Sequence, residues 1–127
     1  MQTRDIEFNS CGDTVRGTLY LPDGVKNPPL VVMAGGWCYV KEIVMPYYAD
    51  DFVEIGCACL IFDYRRFGES DGTPRQHIDP WDQIEDYRNA VSYAKTLDDI
   101  DTNRIGVWGI SYSGGHAVCV AALDSRV

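Results

Sequence analysis

The stretch Arg104-Ile105-Gly106-Val107-Trp108-Gly109-Ile110-Ser111-Tyr112-Ser113-Gly114-Gly115 decides how this chain is read. Arg104 to Trp108 is a short apolar run of strand length, and Ala117 to Leu123 is a longer small-and-apolar run suited to a helix. A serine therefore sits at the apex of a sharp strand-to-helix turn. Such a turn thrusts the hydroxyl out of the chain and aims helix N-terminal amides at the same point. The geometry is crowded, so the residues two before and two after the serine must be small. Gly109 and Ser113 meet that demand, and Gly114 and Gly115 let the helix start lie close to neighbouring backbone. Ser113 stands where a second glycine is commoner in G-x-S-x-G. An ordinary Gly/Ser-rich turn is the plain alternative.

A serine hydroxyl is a weak nucleophile at neutral pH. It needs a base to take its proton and donors to hold the developing oxyanion. Gly35-Gly36-Trp37 follows the continuous apolar run Leu30 to Ala34, which reads as a strand covered on both faces. A glycine-rich loop there can turn a backbone N–H toward Ser111, making the amides of Trp37 and Tyr112 the expected oxyanion pair. A flexible connector is the competing reading. Trp37, Tyr39, Tyr47 and Tyr48 serve either as an aromatic pocket or as ordinary packing.

Working outward, Arg4 to Phe8 and Thr14 to Leu21 read as strands joined at Cys11-Gly12-Asp13, which is hairpin chemistry. Pro46 to Ile55 reads as a helix closed by Gly56, and Cys57 to Phe62 as a second buried strand. Asp63 to Gly72 opens a long polar loop. Its arginines beside carboxylates and glycines suggest a structural brace at the C-terminal edge of the sheet. Asp79 caps the next helix, Pro80 suits its first position and Asp82 adds charge near its start. Ile84, Tyr87, Val91 and Ala94 share one stripe, with a Glu85–Arg88 pair on the outer side and an end expected near Leu97. Buried strands alternating with helices after an opening hairpin indicate an α/β fold: a mixed, mostly parallel sheet with an antiparallel N-terminal hairpin and flanking helices.

The 127 residues, 46% hydrophobic and 24% charged, suit one modest domain with a real core. The formal net charge of −8 argues against nucleic-acid or anionic-membrane partners, both of which need a basic patch. The first residues lack the apolar core of a signal peptide, and no apolar run is long enough to span a bilayer, so a cytoplasmic location is expected. The five cysteines have no zinc-like spacing, and Cys57 and Cys59 read as buried free thiols on one strand face. No metal or cofactor is expected.

Three motifs together resemble the α/β-hydrolase fold family. Gly35-Gly36-Trp37 is similar to its His-Gly-aromatic oxyanion loop, with Gly35 where histidine is common. Asp63-Tyr64-Arg65-Arg66-Phe67-Gly68-Glu69-Ser70-Asp71-Gly72 resembles its D-x-R-x-x-G-x-S-x-G loop, and Gly109 to Gly115 its nucleophile elbow. The similarity is greatest to the dienelactone hydrolases, the Xaa-Pro dipeptidyl-peptidase-like hydrolases and the fungal polyketide-processing hydrolases and acyl transferases. The resemblance covers almost the whole chain. It implies Ser111 as nucleophile, with an acid and a histidine following it in chain order. Asp124 follows it, but no histidine stands at a later strand end. His116 should point away along the helix, and His77 lies in the polar loop.

The resemblance also implies strands beyond Ile105 to Trp108, which otherwise becomes an exposed apolar edge. Residues 1–127 therefore read as a single, partial α/β-hydrolase domain, truncated after the elbow helix. Three functions follow from that reading. The first is the N-terminal portion of a serine hydrolase or acyl transferase, inactive alone, whose substrate is a small-molecule ester, thioester or similar carbonyl. The second is a non-catalytic module that pairs through its open sheet edge with itself or with a full-length relative. The third is one chain of a split enzyme.

Overall fold

A computed structural model describes residues 1–127. Five strands and three helices follow the order β1 (Gln2–Ser10), β2 (Asp13–Leu21), β3 (Leu30–Ala34), α1 (Met45–Glu54), β4 (Ala58–Phe62), α2 (Pro80–Ala94), β5 (Ile105–Gly109) and α3 (Tyr112–Leu123). The strands form one mixed sheet ordered β1-β2-β4-β3-β5. β1 and β2 pair antiparallel from Gln2↔Leu21 to Ser10↔Asp13. Cys11 and Gly12 both take positive φ at the tip, as a two-residue hairpin turn requires.

The strand after the hairpin in sequence is not the one beside it. β2 pairs antiparallel with β4, through Gly17↔Phe62 to Tyr20↔Cys59. β3 lies parallel between β4 and β5, with Ala34 opposite both Phe62 and Gly109. The loops leaving β3, β4 and β5 therefore emerge along one edge of the sheet. β5 is bonded on one side only.

Period-two alternation divides the sheet between two cores. Leu30, Val32 and Ala34 of β3 with Ala58, Leu60 and Phe62 of β4 face Ile84, Tyr87, Ala90, Val91 and Ala94 of α2 and Val120 of α3. Met33, Cys59 and Ile61 face Met45 and Ala49 of α1 on the other side. The whole expected α2 stripe is buried, the Asp79 side chain accepts the Trp81 and Asp82 amides, and Arg88 Nη1 reaches Glu85 Oε2 at 3.2 Å.

The helix limits differ from the sequence expectations in all three helices, and α1 runs Met45–Glu54, one residue earlier at each end. α2 ends at Ala94, and Thr96 and Leu97 continue it only with tighter i→i+3 bonds to Tyr93 and Ala94. α3 begins at Tyr112, so no spacer separates it from Ser111. All five cysteines are free thiols. Cys59 is buried and Cys57 half-buried, whereas Cys11 and Cys38 are exposed in turns where φ is positive.

Candidate active site

Ser111 occupies a bend that few L-residues adopt, with φ 56° and ψ −122°. The turn tolerates it because its flanks are stripped of side chains. A Cβ on Gly109 would fall 2.1 Å from the Ser113 carbonyl oxygen. The helix closes at once, with Ser113 N–H donating to Ile110 O at 3.2 Å and Gly114 N–H to Ser111 O at 3.0 Å. Ser111 itself is exposed, and its side chain makes no capping bond. The partial positive charge of the α3 N-terminus is directed at this position.

The loop leaving β3 abuts the bend from the neighbouring strand. A Cβ on Gly36 would lie 3.0 Å from Ile110 O and 3.3 Å from Ser111 Cβ. The Trp37 indole meets the Tyr112 ring edge-on at 5.0 Å and 73°, and remains half exposed. The Trp37 amide donates to no backbone carbonyl, and Tyr112, as the first residue of α3, has no carbonyl one turn behind it within the helix. The exposed Ser111 hydroxyl, the Gly36 backbone and the paired Trp37 and Tyr112 rings lie in one small region. The three residues singled out in the sequence, Trp37, Ser111 and Tyr112, are thus brought together.

The expected aromatic pocket is divided. Tyr48 packs on Trp108 at 4.5 Å and, with Phe52, Ile55 and Asp51, lines a shallow apolar cavity of about 350 Å³ between α1 and β5. Tyr47 is almost wholly exposed. Trp37 meets Tyr112, the residue after Ser111.

The loop after β4 is a hydrogen-bonded brace. Asp63 is fully buried, and its carboxylate accepts Lys41 N–H at 2.6 Å, Glu69 N–H at 3.0 Å and Lys41 Nζ at 3.4 Å. Burial pulls the Lys41 ammonium down, but hydrogen bonds to Glu42 and Glu69 and the Asp63 charge outweigh it and leave it raised. Arg65 Nε binds Asp86 Oδ1 at 2.5 Å, Arg66 Nη1 binds Asp82 Oδ2 at 2.6 Å, and Ser70 Oγ donates to Asp63 O at 2.6 Å. The Lys41 contacts tie the loop that carries Trp37 to the end of β4, and the Arg65 and Arg66 pairs tie the loop after β4 to α2.

Neither histidine reaches Ser111. The His116 ring is buried, its Nε2 stands 2.8 Å from Gln83 Oε1, and burial holds it below its usual 6.5. His77 is exposed in the long loop. Asp124 caps the far end of α3, where hydrogen bonds from Arg126 hold its carboxyl at about 2.

Sequence reasoning passed over the buried hydroxyls beneath the bend. In the sequence Ser113 counts only as a small residue and Tyr87 only as core. Tyr87 OH accepts Ala34 N–H at 3.0 Å and donates to Trp108 O at 2.9 Å, while Tyr64 OH donates to Gly35 O at 2.9 Å. The available signal was that a buried tyrosine hydroxyl needs a polar partner.

Residues 12–126 match the X-Pro dipeptidyl-peptidase (S15) family. The chain belongs to that family. Among relatives of this S15-family chain, the thiohydrolase aneE of Aspergillus aculeatus is 47% identical over 97% of the chain and 38% of its own length. The quorum-quenching protein AidA of Acinetobacter baumannii is 42% identical over 97% of the chain and 40% of its own length. The crystal structure of the α/β hydrolase GrgF from Penicillium superposes with a TM-score of 0.94 at 34% identity, covering the whole chain and 44% of GrgF. The S15-family chain thus has the α/β-hydrolase fold and spans about two-fifths of the length of the curated relatives it matches. No helix is long and apolar enough to cross a membrane.

Proposed function

We propose that these 127 residues supply the nucleophile and the oxyanion donors of a serine hydrolase or acyl transferase acting on a small-molecule ester, thioester or similar carbonyl. Ser111 Oγ is the nucleophile, and the Trp37 and Tyr112 amides are the donors. The observation that carries this reading is the strained, exposed Ser111 bend at the α3 N-terminus, pressed against Gly36.

Ser111 Oγ bonds to the carbonyl carbon as a base takes its proton. The carbonyl electron pair moves onto oxygen, where the two amides meet it. Collapse restores the carbonyl, breaks the bond to the leaving thiolate or alkoxide, and leaves an acyl-serine. Water, or a second hydroxyl in an acyl transferase, then takes the acyl group and regenerates Ser111. The base and its orienting acid come from outside these residues, because His116 is engaged with Gln83 and His77 lies in an exposed loop. Residues 1–127 are on this reading one part of a single hydrolase domain, and alone they keep only the residual catalysis of oxyanion donors and binding.

A fluorophosphonate probe tests the assignment. The isolated chain should label slowly and only at Ser111, and a longer protein containing it should label rapidly. Rapid labelling of the isolated chain would overturn its inactivity, and labelling that survives Ser111→Ala would overturn the nucleophile.

A second reading rests on the sheet edge. β5 lacks an outer neighbour, and α3 exposes Val118 and Leu123 while burying Ser113 and His116. These apolar surfaces support further chain or a second copy packing there. Size-exclusion chromatography with light scattering decides whether the isolated chain self-associates, and a clean monomer up to high concentration rules the second copy out.

A further inference from the structure

Ser113 stands two residues beyond Ser111, where glycine is commoner, and its side chain is wholly buried. It is not a passive filler. Its Oγ accepts the Ile110 amide at 2.8 Å, and no backbone carbonyl takes that N–H. The same oxygen lies 3.0 Å from Ala34 O and 2.9 Å from Ile110 O, so its one proton is shared between two carbonyls.

Those partners belong to different parts of the site. Ile110 immediately precedes Ser111. Ala34 is the last residue of β3, from which the Gly35–Trp37 loop departs. One hydroxyl therefore bonds both segments at the point where β3 and β5 part. Tyr87 and Tyr64 hold the surrounding groups, at Ala34 N and Trp108 O and at Gly35 O. Of these three hydroxyls, Ser113 alone bonds the bend itself.

We infer that Ser113 is a positioning residue: its hydroxyl sets the Ser111 bend in register with the loop that carries the Trp37 amide. This rests on the reading of Ser111, Trp37 and Tyr112 given above. A donor helps a developing oxyanion only within a narrow range of distance and direction, so the two amides must be fixed relative to each other as well as to Ser111. A glycine at this position gives the bend its room but leaves the two loops without this tie.

The test uses the 127-residue chain and its Ser113→Ala variant, with two readouts. The first is the backbone 1H–15N spectrum. Loss of the hydroxyl is expected to move the Ile110 amide and, across the strand gap, the Gly35, Gly36 and Trp37 amides. Changes that stop at Tyr112 would overturn the inference. The second is nitrophenolate release from p-nitrophenyl acetate. Wild type should show a slow release that Ser111→Ala abolishes. Ser113→Ala should slow that Ser111-dependent part about tenfold or more, with the slope of its pH profile unchanged. Equal rates would overturn the inference. If Ser111→Ala releases nitrophenolate as fast as wild type, the nucleophile assignment fails, and the amide spectra still decide the coupling. Should the alanine variant not fold, Ser113→Gly removes the same hydroxyl without adding volume and is read in the same way.

Discussion

The Gly36 backbone lies directly against Ser111. A methyl in place of the Gly36 hydrogen would stand 3.3 Å from Ser111 Cβ and 3.0 Å from Ile110 O. Both neighbours are part of the bend, so neither yields without moving the hydroxyl. Gly36→Ala should therefore fold but lose about 1–3 kcal/mol, the usual cost of overpacking. Gly109→Ala should be worse, because its Cβ would meet the Ser113 carbonyl at 2.1 Å, inside the first turn of α3. Urea unfolding of the two variants checks the order. A Gly36→Ala midpoint equal to that of wild type would show that the loop and the bend are not in contact.

Strain at Ser111 gives a second expectation. A φ of 56° with ψ −122° is open to glycine and costs other residues roughly 1–3 kcal/mol. Ser111→Gly should raise the thermal midpoint by several degrees, even after the added chain entropy of glycine. Ser111→Ala keeps the strain and should stay near wild type. Both lose the hydroxyl, so a gain in stability with the loss of probe labelling, in the glycine variant alone, identifies the strain as part of the site. Calorimetry of the three proteins decides it.

The Arg65–Asp86 pair is the most deeply buried ion pair between the loop after β4 and α2. Asp86 is buried and accepts Arg65 Nε at 2.5 Å, Arg65 N–H at 3.0 Å and Ser10 Oγ–H at 2.6 Å. Removing one partner strands the other charge, so Arg65→Met should destabilise by about 3–5 kcal/mol. The double variant Arg65→Met/Asp86→Leu should recover a substantial part of that loss. Chemical denaturation of the single and double variants measures it, and additive losses would contradict the pairing.

His116 makes stability depend on pH. Burial between α2 and α3, against Gln83, Tyr64 and Tyr112, keeps its folded pKa below the usual 6.5. The unfolded chain therefore binds the proton more readily. The contribution is complete above pH 6.5 and is lost as pH falls through that value toward the folded pKa. The thermal midpoint should drop between pH 7 and pH 5 by more in wild type than in His116→Gln. Parallel curves for the two proteins would rule this out.

Much of the fold was legible in local pattern. The continuous apolar run Leu30 to Ala34 is strand β3 to the residue, because a strand covered on both faces needs no polar alternation. Asp79-Pro80 started α2 as expected, because capping and a fixed φ are local effects. The inward face of α3 was not legible. Its buried residues are Ser113, His116 and Val120, while Val118 and Leu123 are exposed. A helix with no polar stripe carries no record of which side meets its neighbour. That choice falls to Ala34, Tyr64 and Gln83, which come from distant parts of the chain.

The amino-acid sequence by itself determined the order of strands and helices and the small-serine-small bend at Gly109 to Ser113, because strand, cap and turn preferences act over a few neighbouring residues. Only the tertiary structure decided that β3 lies between β4 and β5, and that placement carries Gly36 and Trp37 to Ser111. It also decided that His116, which the helix already turns away from Ser111, finds Gln83 as its partner. Both outcomes come from packing between segments far apart in sequence, where burial of shared apolar faces selects one pairing among several that the local pattern allows.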